Sequence, residues 1–104
     1  MTDYADRVRQ IRERFLTGLE DRLEAINTTI SRLEQGEPGA VDDLHLSLHD
    51  LTGNAAMLGL DDMAAESRRG LAMLEEGRLE TGADDPAALA DIRASVARLY
   101  ELKT

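Results

Sequence analysis

Tyr4, Val8, Ile11, Phe15, Leu19, Leu23, Ile26, Ile30 and Leu33 follow one another at steps of three or four residues without a lapse. That spacing lines one face of an α-helix, because successive side chains turn by about 100° around the axis. The stretch as far as Gln35 is therefore predicted helical. Within it, Thr17-Gly18-Leu19-Glu20 has the form of a capping box, with Thr at the cap and Glu three residues on. It predicts a break between a short helix over 3–16 and a longer one over 18–35.

Gly36-Glu37-Pro38-Gly39 ends that helix, and Pro38 suits the first turn of the next. Val41, Leu44, Leu48, Leu51, Ala55 and Leu58 then predict a helix over 38–58, stopped by Gly59. Asp61 can cap a helix over 62–77, whose inward residues are Met63, Ser67, Leu71 and Leu74 and which ends at Gly77. Residues 78–85 have no period and read as a loop. Asp85-Pro86 opens a last helix over 86–103 built on Leu89, Ile92, Val96 and Leu99, with Lys103 at the negative end of its dipole. No strand pattern competes. The expectation is one all-α domain over 1–104: an antiparallel up-and-down four-helix bundle with a short extra N-terminal helix across one end.

Aromatic residues make up 3% of the chain, so the core must come from Leu, Ile, Val, Met and Ala. The absence of cysteine removes disulfides and thiolate chemistry and fits a reducing compartment. Twelve basic residues against 21 acidic ones give a charge of −9, which repels nucleic acid and anionic lipid. No apolar run is long enough to span a bilayer, and Met1-Thr2-Asp3-Tyr4 lacks the basic flank of a secretory signal. A cytoplasmic protein without nucleic-acid or membrane partners is expected.

On a helical wheel of the 38–58 helix, His49 falls about 130° from the centre of the apolar stripe, on the solvent side. Thr52 and His45 fall at the boundary between core and water. Gly53 lies almost opposite the core, where glycine costs about 0.5 to 1 kcal/mol relative to alanine. Helical side chains lean toward the N-terminus, so a side chain at 53 would lie over the turn that presents His49. Glycine leaves that imidazole open to a large partner. Leu46 and Met57 are apolar on the same exposed side and form a candidate docking rim.

The run His49-Asp50-Leu51-Thr52-Gly53-Asn54-Ala55-Ala56-Met57-Leu58-Gly59-Leu60 resembles the signature of histidine-containing phosphotransfer (HPt) domains. In that family a reactive histidine is followed by x-L-K-G, small residues, and L-G before the next helix. The helix order and Leu74-Glu75 are similar too. The resemblance implies a phosphorelay role in two-component signal transduction, with His49 as phosphoacceptor and the chain a phosphoprotein that carries phosphohistidine. A response-regulator receiver domain or hybrid histidine kinase would be the partner, bringing the aspartate and the Mg²⁺. The chain itself would bind no cofactor and would be a stoichiometric carrier, not an enzyme. Two positions depart from the family. Thr52 stands where a lysine is common, and Leu71 where many relatives place a Gln or Glu to hold the imidazole. Arg68, one turn before Leu71, could supply a guanidinium in their stead.

Other readings of the residues compete with this one. His49 could be a surface histidine on a scaffold or dimerisation element, or the chain a non-phosphorylated adaptor of the same fold. His45 and His49, four residues apart, could share a metal with Asp42 or Glu66, but bundle metal sites point inward and His49 points out. No hydrolase triad or phosphate-cradling glycine loop is present. A second large apolar face is absent from the 38–58 and 86–103 helices, so a monomer is expected.

Overall fold

The computed structural model describes residues 2–77, 79 and 85–103. Four helices succeed one another, α1 (Thr2–Glu34), α2 (Ala40–Met57), α3 (Asp61–Glu75) and α4 (Pro86–Leu102), and no strand occurs among the described residues. The fold is an all-α four-helix bundle. Packing runs α1 against α2 and α4, α2 against α3, and α3 against α4, which closes the ring. The core is aliphatic. Leu19, Leu23 and Ile30 of α1, Leu44, Leu48 and Leu51 of α2, Met63 and Leu71 of α3 and Ile92, Val96 and Leu99 of α4 meet in one buried cluster.

The expected break at Thr17-Gly18 does not occur, because α1 runs unbroken for 33 residues. The Thr17 hydroxyl donates back to the Glu13 carbonyl at 2.8 Å, which satisfies it inside the helix and leaves no cap to form. The separate N-terminal helix is thus the first part of α1. At 1.5 Å per residue α1 is about 50 Å long against about 27 Å for α2, and the molecule measures 53 Å along its long axis. The excess overhangs the bundle. Phe15 is the first buried residue of α1, whereas Tyr4 and Ile11, earlier on the same stripe, are 75% and 50% exposed.

Helix boundaries follow local chemistry. Gly36, Gly59 and Gly77 take positive φ (74°, 74° and 76°) just past the ends of α1, α2 and α3, where the left-handed region favours glycine. Pro38 lies before α2, not in its first turn, because Gly39 at φ 84° is the N-cap. Arg32 reaches across this turn to Glu37 and, at 3.0 Å, to Asp43. Asp61 does not cap α3 but is its first residue; Leu60 holds the N-cap position without a side-chain hydrogen bond, and the charges of Asp61 and Asp62 favour the positive helix end. Asp85 caps α4 as expected, its carboxylate accepting the Ala88 N–H at 3.0 Å. Of the predicted loop, 78 and 80–84 lie outside the described residues, while Leu79 is fully buried.

Candidate functional site around His49

α2 is positioned by its inner stripe, with Leu44, Leu48, Leu51 and Ala55 all at 1% exposure or less. Fixing that face fixes the opposite one. The His49 side chain, about 130° round from the stripe, is 68% exposed. Among the described residues no hydrogen bond reaches its ring. Nδ1 faces the Asp50 carboxylate at 3.9 Å, beyond hydrogen-bonding range. The His45 ring lies parallel within 14° at a centroid distance of 6.4 Å. His45 itself is turned toward Glu75 of α3, 3.8 Å away. The imidazole is thus held by its own helix and left open on its outer side.

Gly53, one turn on, has open space around it: a Cβ built there meets nothing within 4 Å. Leu46 and Met57, 60% and 77% exposed, flank this stretch on the outer surface of α2. These four residues occupy the outer wall together, as their spacing predicts.

Thr52 does not join them. It is 8% exposed, not at a boundary, and its hydroxyl donates to the Leu48 carbonyl at 2.7 Å while lying 2.8 Å from the Ser67 hydroxyl of α3. α2 and α3 share the most extensive packing of the helix pairs, and Thr52, about 60° from His49 toward α3, falls under that contact. A threonine hydroxyl spent on two interior partners has no donor to offer outside. Arg68, the residue after Ser67, is exposed at this same edge. Leu71 is buried in the core.

α1 adds a surface beside the histidine that the spacing within α2 does not predict. Arg22, Ala25 and Ile26 face Ser47, Asp50 and Asn54 of α2 across a shallow groove. A second groove further along is lined by Ile11, Phe15, Gly18, Arg22, Met57 and Leu58. Arg22 occupies a position of the apolar stripe, and a charged residue there was the signal that this part of the stripe is open to water. Its guanidinium sits 5.3 Å above the Phe15 ring.

Among the described residues no group of three or more His, Cys, Asp or Glu side chains is placed to hold a metal ion. Glu66, weighed above as a ligand beside His45 and His49, is buried on another wall. There it accepts hydrogen bonds from Ser95 and Arg98, both at 2.7 Å. Burial alone would raise the Glu66 carboxyl, but the hydrogen bonds from Arg98 and Ser95 and the charges of Arg98 and Arg69 outweigh it. The group is held below its ordinary value. Among the described residues no helix is long and apolar enough to cross a membrane.

The family model for the Hpt domain matches residues 10–101. No curated protein and no solved structure matches the chain. The match spans nearly the whole sequence, so the chain belongs to the Hpt domain family, the phosphotransfer-type domains of two-component systems.

Proposed function

We propose that the chain is a phosphorelay intermediate that accepts a phosphoryl group on His49 and passes it on. A ring nitrogen of the neutral imidazole attacks phosphorus on a receiver's aspartyl phosphate. An N–P bond forms as the acyl P–O bond breaks, and the aspartate carboxylate leaves. Nδ1 is turned toward Asp50, so Nε2 is the nitrogen we assign to the attack. Transfer of this kind asks for in-line approach and for charge on the equatorial oxygens. This chain supplies the approach, and its partner supplies the aspartate, the Mg²⁺ and most of the charge.

The observation that carries the reading is the exposed, unbonded imidazole on a rigid helix beside an open Gly53. Leu46 and Met57 serve as the docking rim. Arg68 is the residue proposed to reach the phosphoryl oxygens where the family lysine is missing, since the Thr52–Ser67 contact brings its turn of α3 beside the turn of α2 after His49. The carrier is monomeric and cytoplasmic in this reading.

Incubation with a phosphorylated receiver, or with an active hybrid kinase, tests it. The parent chain should take up acid-labile, base-stable label, and the His49→Gln variant none. Label that persists in the variant moves the site elsewhere. Absence of label on both leaves a non-phosphorylated adaptor of the same fold.

A further inference from the structure

α1 carries two apolar seams that part at Phe15. One turns inward through Leu19, Leu23, Ile26, Ile30 and Leu33, all 2% exposed or less. The other starts on the outer face of the overhang: Tyr4, Val8 and Ile11 lead to Phe15, 8% exposed and shared by both seams, and on to Gly18, alternately four and three residues apart, the spacing of a coiled-coil seam. Its N-terminal part belongs to the overhang, with Tyr4 and Ile11 exposed. Its last position is a glycine within a helix, which costs about 1 kcal/mol there. A Cβ at Gly18 meets nothing within 4 Å, so no crowding inside the chain demands glycine. Its effect is to deepen the groove between Phe15, Ile11 and Met57. Arg12 anchors the base of the overhang by donating twice to the Leu58 carbonyl at the end of α2, at 2.7 and 3.2 Å.

Charge identifies what fits this seam. Arg7 and Arg14 occupy one edge and Arg12 the other, while Asp6 and Glu13 point directly away. Among the described residues Arg7 and Arg14 form no ion pair, whereas Arg9 is taken by Asp6 at 2.6 Å. Pairing α1 with α1 of a second copy, parallel or antiparallel, would set arginine against arginine along the seam edges. An anionic membrane fits poorly as well. The overhang exposes only two large apolar side chains among its described residues, Tyr4 and Ile11, and outside Met1–Arg14 the chain holds eight basic residues against eighteen acidic ones. We propose that the α1 overhang is a docking site for an amphipathic helix of another protein, with acidic residues flanking its apolar stripe and one large apolar side chain seated over Gly18. This site does not depend on the chemistry assigned to His49.

The test uses the full chain and a labelled synthetic peptide of about three heptads with Leu at seam positions and Glu at the flanking ones. A sibling peptide carries Lys at the flanks. Fluorescence anisotropy should show saturable binding of the acidic peptide, weakened by salt, and at least tenfold weaker binding of the basic one. Gly18→Leu should fill the groove and weaken binding at least tenfold with a melting temperature no lower than the parent's. Arg7→Glu combined with Arg14→Glu should reverse the preference between peptides. The proposal is overturned by equal binding of the two peptides or by undiminished binding to Gly18→Leu. It is overturned equally by sedimentation showing that α1 pairs with its own copy, or by phosphatidylserine vesicles that capture the chain and exclude the peptide.

Discussion

At the seam between α3 and α4, Glu66 is 7% exposed and its carboxylate accepts hydrogen bonds from Ser95 and Arg98. On the outer wall of α2, the His49 side chain is 68% exposed and the nearest carboxylate stands 3.9 Å away. Two glycines mark the same contrast. A Cβ at Gly70 of α3 would meet Ile92 at 3.0 Å and Leu48 at 3.4 Å, while one at Gly53 would meet nothing within 4 Å. Gly70 sits where helices touch, and Gly53 where the surface of α2 is open. One wall uses its polar groups to hold the fold, and the other leaves an imidazole unbonded.

The contrast breaks first at the glycines. Gly70→Leu should destabilise by about 3 kcal/mol through overpacking, read as a fall in denaturation midpoint, whereas Gly53→Leu should leave stability level or slightly raised. A comparable loss at both sites would erase the distinction. Glu66→Gln comes next, at about 1–2 kcal/mol. That is the lower part of the range for a hydrogen bond to a buried charge, because the Arg98 side chain is 44% exposed. Phosphoryl uptake should be unchanged.

This variant also carries a pH signature. The folded Glu66 carboxyl is held below its ordinary value, so its contribution is complete above the unfolded pKa of about 4.3 and is lost as pH falls through the lower folded value. Chemical denaturation across that acid window should show parent and Glu66→Gln converging. Constant separation would mean the carboxyl is not what stabilises the seam.

Smaller effects sharpen the other wall. Gly53→Leu should slow transfer from a phosphorylated receiver at least tenfold, about 1.4 kcal/mol of barrier, by covering the turn that presents His49. Arg68→Ala should slow it about threefold, roughly 0.6 kcal/mol, with stability unmoved. Equal rates for Arg68→Ala and parent would take Arg68 out of the phosphoryl environment.

The inward residues of α2, α3 and α4 were legible because each is a stripe of period 3.6, with glycine just past the ends of α2 and α3 and Asp85-Pro86 opening α4. Side-chain direction on α2 was legible for the same reason, which is how His49, Gly53, Leu46 and Met57 could be set on one exposed wall. Two features were not. Thr17-Gly18 reads locally as a cap, yet the hydroxyl of Thr17 bonds back to Glu13 and the stripe carries the helix through. Thr52 reads as a boundary residue from its own helix alone. Its burial depends on how closely α3 approaches and on the serine at 67, which no spacing within α2 reveals.

Phosphorus NMR of the chain after transfer from a labelled receiver addresses the outer wall most directly. A phosphoramidate resonance that survives base, disappears in acid and is absent from His49→Gln is the expected spectrum. An acyl phosphate or phosphomonoester signal, or an N–P signal unchanged in the variant, would contradict the assignment of His49 as the acceptor.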